Sequence, residues 1–163
     1  MRTETPQPIR LSEYRPPAFL IDEVELDFQL EPNTTRVKAK MAIRRNGEHA
    51  DGLRLDGVRL KPISVAIDGK ALTEADYVIT DEDLTITSVP DAFTLETEVE
   101  IDPANNKALE GLYMSAGRFC TQCEAEGFRK ITWYPDRPDV LSRFTVRIEA
   151  DRRPIRACCR MAT

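Results

Sequence analysis

Apolar and polar residues alternate over two long stretches near the start of the chain, and this period of two constrains the fold more than any other feature. The apolar side chains are Val24, Leu26, Phe28 and Leu30 in the first stretch and Val37, Ala39, Met41 and Ile43 in the second. Such alternation places the apolar residues on one face of a β-strand. The turn-forming segment Glu31-Pro32-Asn33-Thr34 lies between them, which predicts an antiparallel hairpin.

The rest of the chain repeats this pattern in shorter segments. Strands are predicted at 53–55, 60–67, 77–79, 84–87, 93–101, 128–134 and 144–150. Turn residues separate several of them, notably Asp56-Gly57 and Asp68-Gly69, and only residues 139–142 suggest a helical turn. Short strands at regular intervals indicate an all-β domain, an antiparallel β-sandwich or saddle with little helix.

The strand pattern covers residues 19–152 and gives way to different sequence at both ends. Residues 1–18 are polar, rich in proline and end at Pro16-Pro17, which predicts an extended arm. Residues 153–163 lose the alternation, and we interpret them as an aberrant tail that a frameshift would explain. With 163 residues the chain fits one domain that buries roughly 70% of its unfolded surface.

The charge balance argues against nucleic acid as a partner. The chain has 28 acidic and 23 basic residues, and the basic residues form no stripe that would neutralise phosphates. No apolar run is typical of a signal peptide or a membrane span. We therefore expect no membrane partner and a cytoplasmic location.

Metal ligands are sparse in this sequence. The only histidine is His49, in a polar segment typical of a solvated loop, whereas a His-Glu-x-x-His zinc site needs two imidazoles. Cys120 and Cys123 have the spacing of zinc knuckles and redox dithiols, but Cys158 and Cys159 are adjacent and form no second half-site. Ordinary thiols in a reducing compartment explain the cysteines better, so we predict that this chain binds no metal.

Two carboxylates, Glu124 and Glu126, flank Ala125. In an extended segment both would point to the same side, an arrangement that can capture a cation. In a chain with this many acids, solvated surface charges are the simpler interpretation. Residue chemistry alone does not take the assignment further.

Three stretches in this part of the chain carry a specific resemblance. They are Ala108-Leu109-Glu110-Gly111-Leu112-Tyr113, the run from Cys120 to Arg129, and the run from Ile131 to Phe144 that contains Trp133-Tyr134-Pro135-Asp136-Arg137-Pro138-Asp139. In order and spacing they resemble the N-terminal domain of the bacterial aminopeptidase N family, zinc metallo-aminopeptidases of the gluzincin group. The resemblance implies a β-saddle domain that lends one loop to the active site.

The resemblance also assigns roles to two residues. It implies that Glu124 binds the free α-ammonium group of a peptide substrate and that Gln122 lines the pocket for the first side chain. It further implies a cis peptide bond between Glu124 and Ala125. The zinc ligands and the general base of the family belong to a later domain, so no catalytic residue is assigned here.

The implied protein is therefore a truncated fragment that is inactive alone. Its partners would be peptide N-termini and the missing catalytic domain of the same enzyme, and zinc would be bound only in the full-length enzyme. A function of a different class stays open, namely a stand-alone β-sandwich module that binds peptides or a partner protein. Such a module would hold peptides with a free amino terminus by itself.

Overall fold

The computed structural model describes residue 12 and residues 14–151. Within these residues the chain forms the strands β1 (Phe19–Leu30), β2 (Thr35–Arg45), β3 (Leu53–Asp56), β4 (Lys61–Ile67), β5 (Lys70–Ala71), β6 (Tyr77–Ile79), β7 (Asp83–Ile86), β8 (Ala92–Ile101), β9 (Gly111–Ser115), β10 (Arg118–Gln122) and β11 (Arg143–Ala150). A single-turn 3-10 helix, Phe128–Lys130, lies between β10 and β11. The all-β prediction is confirmed.

Six strands form the main sheet, in the order β11-β1-β2-β8-β4-β5. The predicted β1–β2 hairpin is confirmed, and its register pairs apolar with apolar residues, for example Leu26 with Ala39 and Phe28 with Val37. Alternate residues of β2 and β8 are buried, because a strand sends successive side chains to opposite faces. One face of the sheet therefore carries the core.

The opposite face of the same sheet carries charges of alternating sign. Lys40 lies between Glu25 on β1 and Glu96 on β8 in the register, and Lys38 lies between Asp27 and Glu98. Opposite charges on neighbouring strands contribute only about 0.2–1 kcal/mol per pair, but a slip of one residue would bring apolar side chains to this face. The two faces thus specify the register together.

The edge strand corrects one part of the fold prediction. β11 pairs with β1 in parallel, with Val24 opposite Phe144 and Leu26 opposite Val146, so the main sheet is mixed and not purely antiparallel. Parallel neighbours need a long connection, and here it consists of everything from β2 to β10. The sequence pattern of β11 predicts a strand but contains no signal for its direction.

Two smaller sheets share the core of the main sheet. β3, β7 and β6 form a three-stranded sheet, and β9 and β10 form a hairpin. One apolar cluster unites all three sheets and includes Leu55 and Leu84 from the three-stranded sheet and Leu112 and Phe119 from the hairpin. The described residues therefore behave as one packing unit.

Several local predictions were wrong. Residues 128–134 form the 3-10 turn and a single bridge between Tyr134 and Asp56 instead of a strand, because the backbone winds up as Ile131 N donates to Phe128 O. The strands β5, β9 and β10 were missed. Residues 139–142 form no helical turn, and Val140 N makes a single turn bond to Arg137 O, 3.3 Å long.

The predicted ends of the domain are covered only in part. Strand β1 begins at Phe19, directly after the predicted arm, but residues 1–11 and 13 lie outside the described residues. The tail 153–163 and its frameshift hypothesis also lie outside them. No helix among the described residues has the length and apolar character needed to cross a membrane.

Candidate functional site

The two residues singled out by the resemblance lie together on one exposed turn. Gln122 is the last residue of β10, and Glu124 lies two residues further on, where the chain turns back. The Gln122 side-chain amide Nε2 donates to the backbone carbonyl of Glu124 at 3.4 Å. The peptide bond between Glu124 and Ala125 is cis, as the resemblance implied. Gln122 and Glu124 are both exposed, so the amide and the carboxylate are open to solvent on the same turn.

Glycines close the turn behind these side chains. Gly127 N donates to Cys123 O at 2.8 Å, and a Cβ on Gly127 would lie 2.4 Å from the carbonyl oxygen of Gln122. Gly111 at the start of β9 has φ +72°, and a Cβ there would lie 2.8 Å from the Lys130 Cβ. At both glycines the backbone therefore lies too close to neighbouring atoms for a side chain to fit.

An ion pair holds the downstream end of the turn. The backbone N and the side-chain Nε of Arg129 both donate to Asp136 Oδ2 at 3.1 Å, and Arg129 Nη2 donates to the Asp136 carbonyl. The Arg129 and Asp136 side chains are only 18% and 11% exposed, so water screens this pair less than a surface pair. Arg129 also lies 3.6 Å from Glu126.

This ion pair is tied to the three-stranded sheet. Asp136 N donates to Asp56 Oδ2 at 3.0 Å, and Val58 N donates to the Arg129 carbonyl at 2.9 Å. Beneath it, Trp133 is 1% exposed and packs on Gly57, where a Cβ would come within 2.1 Å of the indole. The position of the turn thus depends on contacts with residues far away in sequence.

A second contact ties the segment to β1. The Tyr134 hydroxyl lies 2.7 Å from Ser142 Oγ, which donates to the Ile21 carbonyl at 2.6 Å. The Tyr134 ring meets the Phe128 ring edge-on, with centroids 5.0 Å apart. Burial raises the pKa of Tyr134, because the buried phenolate form would lose its hydration.

The expected geometry of Glu124 and Glu126 was wrong. Residues 124–127 form a turn and not an extended segment, so alternation of a strand does not apply to them. Glu126 pairs with Arg129, while Glu124 lies on the exposed surface beside Gln122. The two carboxylates therefore have different surroundings.

The cysteines of this region are free thiols with no cluster of metal ligands around them. Both Cys120 and Cys123 are partly buried. Burial, with a further contribution from the charge of Asp136, raises the pKa of the Cys123 thiol, which keeps it in the less reactive protonated form. No group of three metal-ligating side chains occurs within residues 14–151, so the residues described here do not fit a zinc ion.

His49 lies in an exposed loop, as predicted, but its own side chain is not solvated. Its side chain is only 19% exposed, its Nε2 lies 2.8 Å from the Ala18 carbonyl, and its ring meets Phe19 edge-on. Because a carbonyl only accepts, Nε2 carries the proton. His49 therefore fixes the entry into β1 and lies apart from the candidate site.

Comparisons of sequence and of structure both relate this chain to aminopeptidases. The family model described as the peptidase M1 N-terminal domain matches residues 19–158. Aminopeptidase N of Caulobacter vibrioides is 60% identical over 151 residues, which cover 93% of this chain and 18% of that protein. Aminopeptidase N of Escherichia coli is 45% identical over 150 residues, which cover 92% and 17%. The chain spans less than a fifth of the length of these curated relatives.

Solved structures show the same architecture. A crystal structure of Legionella pneumophila aminopeptidase A in complex with aspartic acid matches with a TM-score of 0.79 and 29% identity over 86% of this chain and 17% of that one. Native yeast LTA4 hydrolase matches with a TM-score of 0.70 and 23% identity, over 88% and 26% of the two chains. The second match concerns the fold alone.

Proposed function

Because the chain belongs to the peptidase M1 family and matches the N-terminal domain of that family, we propose that it anchors the amino end of a peptide substrate for a zinc-dependent aminopeptidase. Glu124 accepts hydrogen bonds from the free α-ammonium group. Gln122 contacts the first side chain of the peptide. Hydrolysis itself belongs to a catalytic domain of the same enzyme.

The observation that carries this proposal is the joint presentation of Gln122 and Glu124. An ionised carboxylate only accepts hydrogen bonds, and an ammonium group only donates them, so Glu124 suits a free amino terminus and does not suit an acylated one. The amide of Gln122 both donates and accepts, which suits contacts with varied first residues. The glycine contacts and the Arg129–Asp136 ion pair support both side chains from behind.

The proposal limits the chemistry of this chain to positioning. Zinc activates water and polarises the scissile carbonyl in hydrolases of this kind, and the described residues contain no group of three ligands for it. Exposed ion pairs in water contribute only about 0–1 kcal/mol. We therefore expect the isolated chain to bind peptides weakly, and Glu124 to act strongly only where a second domain excludes water.

A chimera tests the proposal. Residues 14–151 replace the matching segment of Caulobacter vibrioides aminopeptidase N, and kcat and KM are measured on an aminoacyl p-nitroanilide. A hydrogen bond to a charged group is worth about 1.5–3 kcal/mol, so Glu124→Gln is expected to lower kcat/KM about 10- to 150-fold. Glu48→Gln, at an exposed glutamate of a remote loop, is the matched control and leaves kcat/KM unchanged. Equal activity of Glu124→Gln and Glu48→Gln would contradict the anchoring role.

The role of Gln122 has its own readout. In the same chimera, Gln122→Ala should change the ratio of kcat/KM between two substrates that differ only in their first side chain. A uniform loss across all substrates would contradict the assignment. Titration of the 163-residue chain with a free-amine peptide and its N-acetylated form tests the stand-alone binding module, which requires tight binding of the free amine only.

A further inference from the structure

Asp136 belongs to the run of residues that carried part of the resemblance, and its side chain reaches the turn of the candidate site. Its Oδ2 atom accepts hydrogen bonds from both the backbone N and the side-chain Nε of Arg129, each 3.1 Å long. The Asp136 side chain is only 11% exposed. Hydrogen bonds to a charged group are stronger than neutral ones, and a buried group that loses its partner is costly. Asp136 therefore fixes Arg129 more firmly than a surface ion pair would.

Asp136 also supplies a cap that the 3-10 turn lacks locally. The turn Phe128–Lys130 begins after Gly127, which has no side chain to accept from the first backbone N–H groups. The N–H groups at the start of a helical turn need an acceptor from outside the turn, and Asp136 provides one for Arg129 N. The start of the 3-10 turn is therefore held by a residue that follows it in sequence.

Two backbone hydrogen bonds connect this cap to Glu124. Lys130 N donates to Gly127 O at 3.1 Å, and Gly127 N donates to Cys123 O at 2.8 Å. These bonds share Gly127, and Glu124 lies within the loop that the second bond closes. A shift of the 3-10 turn would therefore move Glu124 with it.

The other end of the connection is anchored in the three-stranded sheet. Asp136 N donates to Asp56 Oδ2 at 3.0 Å. Asp56 is the last residue of β3, and it exchanges two backbone hydrogen bonds with Tyr134, 3.0 and 3.1 Å long. Asp136 thus links the site turn to a strand whose position the core determines.

We propose that Asp136 is a positioning residue for the aminopeptidase reaction, which acts through Arg129 and holds the Glu124 carboxylate where it meets the α-ammonium group of the peptide. The inference rests on the proposed function of Glu124. In this role Asp136 does not touch the substrate. Its effect on the reaction is carried by Glu124, and this dependence separates it from a residue that only stabilises the domain.

A double-mutant cycle in the same chimera tests this dependence. Asp136→Asn keeps the shape of the side chain and one acceptor oxygen but removes the charge. A misplacement of about 1 Å can cost about 100-fold in rate, and we expect Asp136→Asn alone to lower kcat/KM by about 3- to 30-fold. In the Glu124→Gln background the same substitution should cost less than about twofold, because residues that act as a unit are not additive.

A pair of inhibitors gives a readout that a loss of stability does not move. Leucine hydroxamate carries a free amino group, and its analogue without that group is otherwise the same molecule. Asp136→Asn should weaken inhibition by leucine hydroxamate and leave inhibition by the analogue unchanged, because only the amino group meets Glu124. The ratio of the two inhibition constants should therefore fall in Asp136→Asn as it does in Glu124→Gln.

Glu98→Gln is the matched control for the loss of a partly buried carboxylate. The Glu98 side chain is 18% exposed and lies 3.7 Å from Arg36 and 3.9 Å from Lys38, on the charged face of the main sheet. Glu98→Gln should leave kcat/KM and the inhibitor ratio unchanged. Arg129→Lys is a second probe, because it keeps the charge and the backbone bond to Asp136 but loses the Nη2 bond to the Asp136 carbonyl. It should give a smaller loss with the same dependence on Glu124, and far-UV circular dichroism checks that each variant keeps its strands.

The outcomes separate this inference from the proposed function. Two results overturn the inference and leave the role of Glu124 in place: Asp136→Asn costs the same factor with and without Glu124, or it weakens both inhibitors equally. If Glu124→Gln itself left kcat/KM and the inhibitor ratio unchanged, the proposed function would fail and the inference would fail with it.

Discussion

The main sheet and the segment from Gly111 to Asp136 are built from the same chain in different ways. In the sheet, β1, β2 and β8 repeat one pattern over many residues, and no single contact decides their position. In the segment, three contacts hold the backbone in position. Gly127 packs against the Gln122 carbonyl, Arg129 pairs with Asp136, and Trp133 packs on Gly57. We therefore expect the sheet to tolerate substitution on its charged face and the segment that carries the candidate site to tolerate little.

The largest expected effect on stability is at Trp133, which packs the site segment against Gly57. Trp133→Ala removes a fully buried indole and should lower the free energy of unfolding by about 3–5 kcal/mol. Because Trp133 is the only tryptophan, urea unfolding is followed by circular dichroism instead of fluorescence. Val78→Ala, at an exposed position, should change stability by less than about 0.5 kcal/mol. A loss below about 1 kcal/mol for Trp133→Ala would show that the segment is held by other contacts.

A smaller effect on stability separates the site segment from the three-stranded sheet by location. A Cβ on Gly127 would meet the Gln122 carbonyl at 2.4 Å, and a Cβ on Gly52 would meet the Ile86 carbonyl at 2.5 Å. Overpacking of this kind costs about 1–3 kcal/mol, so Gly127→Ala and Gly52→Ala should lose similar stability. Only Gly127→Ala should speed hydrogen exchange and proteolysis at residues 122–130. Equal changes there in both variants would mean that the turn is not held separately from the three-stranded sheet.

The smallest effect is the response of stability to pH, which should have opposite signs in the site segment and in the three-stranded sheet that it contacts. The hydrogen bond from Arg54 lowers the pKa of Asp83 on β7, so its stabilisation is present above its unfolded pKa and is lost as pH falls below about 4. Burial raises the pKa of Cys123, so its stabilisation is present below its unfolded pKa and is lost as pH rises above about 8.5.

Urea midpoints measured from pH 3 to pH 10 test this contrast. Asp83→Asn should flatten the acid side of the profile only, and Cys123→Ala should flatten the alkaline side only. If Cys123→Ala left the alkaline side as steep as before, burial of that thiol would not govern the response of the site segment.

Sequence alone predicted the main sheet well because its information is periodic. The apolar residues that the alternation predicted to face the core in β1 and β2, from Val24 to Ile43, are all buried, and turn residues such as Asp68-Gly69, with φ of 49° and 75°, end the strands where expected. The direction of β11 was not predictable, because alternation is the same for a parallel and an antiparallel strand. The β9–β10 hairpin was missed although Ala116-Gly117 at its turn, with φ of 49° and 73°, was a usable signal.

The candidate site was predictable only in part, for a related reason. The resemblance singled out Gln122 and Glu124 and implied the cis peptide bond that the structure contains. The support behind them was not foreseen, because Arg129, Asp136 and Asp56 meet through the tertiary fold and follow no repeat in the sequence. For the same reason the consecutive buried residues Trp133 and Tyr134 were mistaken for part of a strand.

The parallel pairing of β1 with β11 has a consequence for how the protein is made. The two strands meet through residues 120 positions apart, such as Glu23 and Arg143. At about 5–20 residues per second, a ribosome needs roughly 6–24 s to add that length, and throughout this time one edge of β1 lacks its final neighbour. Glu23, Glu25 and Asp27 alternate along it, and charges of one sign on an open strand discourage pairing with another nascent chain. We therefore expect the acidic residues of β1 to disfavour such pairing until β11 emerges.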